Sequence, residues 1–314
     1  MKGSAAAGAP LRRMASGIAL LAAMVLIVVK LWGWLETDSV ALLTSAADAV
    51  VDMLAALATF FGVRFAQQPA DLEHRFGHGK GEALAAFTQA VLLGSTAIVL
   101  AAQSCWRLIY PQPLTDLTLG LWIAVAGLVI SSALAAMQGW VVRRTGSTAI
   151  AADRTHYLSD ALLNAAVLVA LALTRVTGWE RADPAFALLI AAYMILSARH
   201  VAVAASHQLL DHELSSQERE RIKAVALACT GARGIHDLRT RDAGDRVFVE
   251  FHLEVDGDVS VHAGHQIVDT AERAIAALFP KETEVIGHLE PAGILDERLD
   301  DRVRRPARLP GAAR

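Results

Sequence analysis

The sequence predicts a membrane all-α six-helix transmembrane domain followed by a cytoplasmic α+β domain of element order αββαβ. Three observations predict it. Hydrophobic residues make up 54% of the 314 residues and charged ones only 19%, with a mean hydropathy of +0.40; a soluble domain is less apolar and more charged. The apolar residues are bunched into long runs before Leu210, and the chain after it is polar. Within that polar part, segments of alternating pattern lie among helical ones. The boundaries read from these shifts are an N-terminal segment 1–13, a membrane domain 14–209, a soluble domain 210–291 and a tail 292–314.

A helix needs about 20 mostly apolar residues to cross the hydrocarbon core. Six stretches satisfy this: 14–35, 38–66, 81–109, 115–142, 148–176 and 183–207. Arg12 and Arg13 precede the first, as in a signal peptide, but the stretch is long enough to span and no small-residue cleavage site ends it. Proline, glycine and polar clusters separate the runs, as at Tyr-Pro-Gln-Pro 110–113 and Arg-Arg-Thr-Gly-Ser 143–147.

Positive charge in short loops marks the cytoplasmic side. Lys2, Arg12 and Arg13, then Arg75 and Lys80, then Arg143 and Arg144 lie on one side, while the first loop carries only acidic residues. Arg107, Arg175 and Arg181 fall near the other side and weaken the asymmetry without reversing it. Both termini are expected to be cytoplasmic, in an inner membrane. Lys30 and Arg199 read as snorkelling or ion-paired side chains. The net charge of −3 gives no argument for nucleic acid. Cys105 and Cys229 form no Cys-x-x-Cys and support no disulfide framework, which fits a reducing compartment.

The second span holds Asp48 and Asp52, and the fifth holds His156 and Asp160, each pair four residues apart. Residues i and i+4 share one helix face. Each pair can therefore present two ligands to one point between two helices. An aspartate near the membrane centre costs about 2.5–3.5 kcal/mol on insertion scales, so three of them are a large penalty for a structural purpose. Three carboxylates and an imidazole suit a tetrahedral divalent cation. Carboxylates held close together repel, which favours a bound proton when no metal is present, and imidazole changes charge near neutrality. Ligands bind metal deprotonated, so cation and protons compete for one site. Alternating exposure of that site would give antiport.

In the loop after the second span, Asp71, His74 and His78 have spacing suited to a metal, although a solvated polar loop would read the same way. After Leu210, Ser215 or Ser216 caps a helix. Segments 234–242 and 246–255 read as strands around a turn, 261–279 as a helix and 283–289 as a last strand. This domain holds His236, His252, His265 and His288, with Glu290 two residues after the last. Scattered histidines in a soluble domain are ordinarily surface or core residues. The Arg-, Pro- and Ala-rich tail from 292 is expected to be disordered.

Together these segments resemble the cation diffusion facilitators, and within them the bacterial ferrous-iron and zinc efflux pumps. The residues that carry the resemblance are Asp-Ala-Val-Val-Asp at 48–52, Gln-Pro-Ala-Asp-Leu-Glu-His-Arg-Phe-Gly-His-Gly-Lys at 68–80, His-Tyr-Leu-Ser-Asp at 156–160 and His-Asp-Leu-Arg-Thr-Arg at 236–241. The resemblance covers 14–291. It implies a homodimer with a metallochaperone-like cytoplasmic domain. It implies a transport site of Asp48, Asp52, His156 and Asp160, and a loop site of Asp71, His74 and His78. It further implies a binuclear cytoplasmic site of His236, His252, His265 and His288, with Glu290 where that branch carries Asp. Lys80 and Asp211 match a charge pair at the dimer's hinge, whereas His200, His207, His212 and His262 match nothing and are left structural. Filling of the cytoplasmic site would then regulate transport.

The function expected is proton-coupled export of divalent cations, with Zn2+ both transported and regulatory and Fe2+ or Cd2+ as further substrates. An Asp–Asp pair is harder and less discriminating than His–Asp, so tolerance for zinc, ferrous iron and cadmium is expected, with manganese ranked lower. Three other classes fit less well. No His-Glu-x-x-His occurs, and four ligands leave no position for a catalytic water, which argues against an intramembrane metalloenzyme. A channel needs weak sites rather than a closed ligand cage. A membrane-anchored metal sensor would bind without moving its ion.

Overall fold

The computed structural model describes residues 4–37, 40–110, 117–179, 181–293, 298–299 and 303. The chain divides into two compact units, Gly3–Leu210 and Asp211–Arg314. The first contains six long helices: α1 (Ser4–Thr37), α2 (Val40–Ala66), α3 (Gly81–Ile109), α4 (Leu117–Thr145), α5 (Thr148–Thr177) and α6 (Ala182–Leu209). All six have a stretch long and apolar enough to cross a membrane. Their ends agree with the sequence reading within three residues where both are described, except at the start of α1. That helix begins ten residues before the expected span, because the Ala-rich segment around Pro10 continues it. The expected starts of the second and fourth spans, at 38 and 115, lie outside the described residues.

Large apolar side chains face outward along these helices, among them Trp32, Ile98, Trp106, Leu189 and Leu196, each at least 60% exposed. A soluble surface does not carry such a continuous apolar cover; lipid does. The interior is instead lined by small residues. Ala19, Ala56, Ala86, Ala97, Ala149 and Ala152 are all buried. Small residues let helix backbones approach closely in lipid, where packing rather than water exclusion drives association. A close approach joins α2 to α3. A Cβ placed on Gly62 would lie 2.4 Å from the Ala85 Cβ and 3.0 Å from the Gly81 carbonyl.

Two buried polar clusters tie the helices together. Asp153 on α5 is buried and accepts hydrogen bonds from Gln89 Nε2 on α3 (2.8 Å) and Gln138 Nε2 on α4 (2.5 Å). Gln89 also donates to Thr59 Oγ1 and the Ala55 carbonyl on α2. Three helices thus meet at one carboxylate, and Gln89 joins α2 to them. Nearer the helix ends, Arg12 of α1 donates to Glu82 of α3 (2.9 Å) and to the Thr145 carbonyl (3.0 Å), and Ser147 donates to the same Glu82.

The second unit is α7 (Ser216–Leu227), β1 (Gly234–Asp242), β2 (Arg246–Val255), α8 (Val261–Ala276) and β3 (Glu282–Pro291), the predicted αββαβ order. Ser215 caps α7 in a reciprocal capping box with Glu218. Strands β1 and β2 form an antiparallel hairpin through Gly244, whose φ of 96° an L side chain rarely adopts. Helix α8 then crosses over and β3 pairs parallel to β2, giving the order β1-β2-β3. One face of the sheet packs Val249, Phe251 and Leu253 against Ile222, Val268 and Ile275 of the two helices.

Replacing Gly62 with Val should separate α2 from α3 and cost about 1–3 kcal/mol through overpacking. A lowered thermal midpoint of the detergent-solubilised chain, with Gly17→Val as a control in open space, would register it.

Candidate metal sites

Among the described residues, three groups of side chains bring ligand atoms within 4.8 Å of one another: Asp52, His156 and Asp160; Asp71, His74 and His78; and His236, His252 and Glu290.

The first lies between α2 and α5. His156 Nε2 is 3.1 Å from Asp52 Oδ1 and 3.4 Å from Asp160 Oδ2. Helical spacing places His156 and Asp160 on one face of α5, and that face meets Asp52. The imidazole is buried while both carboxylates stay about one-third exposed, so the acidic edge of the group is reachable from outside. His156 Nδ1 is buried without a hydrogen-bond partner. The edge of the ring packs against Tyr157, whose hydroxyl donates to the Ala19 carbonyl on α1. Asp48, one turn before Asp52, is exposed and is not a member of this group.

The second group forms within a single loop. Asp71 Oδ1 accepts from the backbone N–H groups of His74 (2.6 Å) and Glu73 (2.9 Å), so the carboxylate closes a turn. His74 Nδ1 lies 3.3 Å from the same oxygen, and His78 Nε2 lies 3.4 Å from Oδ2. His78 is buried against the Phe65 ring, and its Nδ1 donates to the Pro69 carbonyl. That bond fixes the ring and leaves Nε2 as the ligand atom.

The third group is built by strand register. His236, His252 and His288 stand opposite one another across β1, β2 and β3, and two residues along the same face stand Gly234, Glu254 and Glu290. His252 Nδ1 lies 2.7 Å from Glu290 Oε1, and His236 Nε2 lies 3.1 Å from Glu290 Oε2. Glu290 therefore reaches both imidazoles with its two oxygens. The His288 ring lies 4.9 Å from that of His252, tilted against it, but the side chain is 67% exposed and its Nε2 is 3.7 Å from Glu290. His265, on α8, is more exposed still and faces Asp269 at 3.6 Å. It is not part of the group in this chain.

The donor types fit divalent transition ions in each case, since each group mixes imidazole with carboxylate. Two residues beside them were missed by sequence reading. Glu254 sits 3.0 Å from His236 Nδ1, and Asp153 is the buried junction one helical turn before His156. Lys80 and Asp211 belong to separate units. Lys80 Nζ donates to the Leu209 carbonyl at 3.1 Å, and Asp211 accepts from Arg241 at 3.4 Å.

Comparison with known proteins decides the family. A family model described as "Cation efflux transmembrane domain" matches residues 16–210, and one described as "Cation efflux protein, cytoplasmic domain" matches 214–292. The chain belongs to the cation efflux family, the cation diffusion facilitators. It is 41% identical over 282 residues to a protein named cation-efflux pump FieF from Shewanella oneidensis, covering 90% of this chain and 95% of that one. The corresponding FieF from Yersinia enterocolitica is 40% identical, with 88% and 92% covered. The solved zinc form of CzrB is 41% identical over 28% of this chain and 99% of its own, with a TM-score of 0.25. This cation efflux protein is accordingly a multi-pass membrane transporter of metal ions with a smaller cytoplasmic-type domain.

The His74 amide, followed by that of Glu73, holds the Asp71 carboxyl below its ordinary value of 3.8. Ionised Asp71 therefore supports the turn above the usual carboxylate range, and the support is lost as pH falls through the lower folded value. Asp71→Ala should make amide exchange at Glu73 and His74 several-fold faster at neutral pH, measured by hydrogen exchange in metal-free protein. Below the folded value, wild type and variant should converge.

Proposed function

We propose that this efflux protein exports divalent transition-metal cations from the cytoplasm in exchange for protons, with zinc as the main cargo and ferrous iron and cadmium also carried. The observation that carries this reading is the Asp52–His156–Asp160 group: two helices converge on one imidazole flanked by two carboxylates. Such a set binds a proton or a cation, and a cation must displace protons to enter. Asp48 would complete the set by turning its side chain toward the ion. Hard carboxylates tolerate several divalent ions.

The remaining groups receive supporting roles in this reading. Asp71, His74 and His78 form a loop site. His236, His252 and Glu290, with His288 and His265 drawn in, form a regulatory zinc site in the 210–291 domain. The family resemblance supports a homodimer in the inner membrane with both termini cytoplasmic, a membrane domain over 14–209, and the Lys80–Asp211 pair at the hinge. Export direction follows from a metal-responsive domain on the cytoplasmic side.

The test is zinc flux into proteoliposomes under an imposed pH gradient. Wild type should show gradient-dependent flux, and Asp160→Ala should lower it at least about tenfold, the loss expected when a metal's ligand shell is broken. Flux that persists in the variant would place transport elsewhere. A folded, zinc-binding wild type without flux would make the protein a sensor, and movement of manganese alone would overturn the ranking of ions.

A further inference from the structure

Two residues of the C-terminal segment reach the edge of the His236–His252–Glu290 group. Arg298 Nη2 donates to Glu254 Oε1 at 2.8 Å, and the Leu299 N–H donates to Asp237 Oδ2 at 2.9 Å. Both anchors flank His236. Asp237 follows it in the β1 bulge, with a φ of 50°, and Glu254 lies beside it on β2. Gly234 makes room for that carboxylate, since a Cβ there would fall 2.7 Å from Glu254 Oε2.

The oxygen that takes Arg298 is the one that faces His236. His236 Nδ1 lies 3.0 Å from Glu254 Oε1, yet this buried nitrogen makes no hydrogen bond. The separation suffices, but the direction is wrong, whereas the Arg298 bond is well formed. The other nitrogen, Nε2, points to Glu290. A histidine that binds a cation through Nε2 carries its proton on Nδ1. An outer carboxylate that accepts this proton orients the ring and strengthens it as a ligand. In this structure that acceptor is held by Arg298.

We propose that the contact between Arg298 and Glu254 keeps the His236–His252–Glu290 group in a lower-affinity form, so that the C-terminal segment sets the cation threshold of this domain. The inference rests on the reading of this group as a divalent-cation site. Release of Arg298 frees Glu254 to align with His236, and removes a positive charge from the approach of a cation. Linkage makes the effect reciprocal: cation binding loosens the Arg298 contact as much as that contact opposes the cation. Arg298 is 41% exposed, which keeps the effect moderate.

The experiment uses the full chain in detergent, with His74→Ala, His78→Ala and Asp160→Ala removing the other two sites, and Zn2+ titrated against a chromophoric chelator. Adding His236→Ala to this background should abolish the remaining tight site. If it does not, the group is not a cation site, and the inference falls with that reading. Given a site lost with His236→Ala, Arg298→Ala should bind zinc about three- to tenfold more tightly and Arg298→Lys should stay within about twofold of the parent. Glu254→Gln should weaken binding, and Arg298→Ala added to it should tighten binding by clearly less than it does in the parent, since only the removal of a positive charge is left to act. Unchanged or weaker binding in Arg298→Ala would overturn the proposal, because a contact that only braces the domain cannot tighten binding when removed. Zinc should also speed amide exchange at Leu299 in the parent; slower exchange would count equally against it.

Discussion

Charge inside hydrocarbon is the constraint on which the membrane unit depends. Each carboxylate at that depth must be given partners, or the helix carrying it is not stable there. Asp153 obtains them from Gln89 and Gln138, and Gln89 in turn holds Thr59 and the Ala55 carbonyl. One buried acid thereby fixes the mutual placement of α2, α3, α4 and α5. Asp52 and Asp160 have a different solution. They meet at His156, remain partly exposed, and keep oxygen lone pairs free for something that is not protein. The first acid is satisfied and structural, and the other two are left partly satisfied. That contrast separates the scaffold of this transporter from the group proposed to carry its cargo.

The same economy of space governs the helix contacts. Gly62 brings α2 close to α3, and on the same α2 helix Asp52 meets an imidazole on α5. Larger residues along these seams would move the carboxylates out of reach of His156. Bulky apolar groups are placed on the outer surface, where lipid is indifferent to their shape.

Much of this was legible in the chain. The i,i+4 spacing of His156 and Asp160 needs only helical geometry, and the loop ligands lie within eight residues of one another. The alternating pattern of β2 announced the sheet. What could not be read is what depends on register or on distant partners. Asp153 stands three residues before His156, but its partners lie 64 and 15 residues away on other helices, and no periodicity reveals them. Glu254 shares the alternation of β2 with every other residue on its face, and only the pairing with Gly234 and Glu290 shows that it lies beside His236. Asp48 shares a helix face with Asp52 but lies a turn away from the imidazole. His265 is on the right element, yet its side chain turns to Asp269. The start of α1 was placed late, because alanine and glycine continue a helix without adding to a hydrophobic run.

The parallel placement of β3 has a consequence for biogenesis. The loop group is complete within one short stretch of chain and can exist as soon as His78 leaves the ribosome. The sheet group cannot, because Glu290, the residue that reaches both histidines, belongs to the last strand and must cross over through α8 to join β2. Chains emerge from the N-terminus onward, so a nascent polypeptide has all six apolar helices before it has this group. A truncated product, ending anywhere before Glu290, would carry a whole membrane unit without the carboxylate that joins His236 to His252.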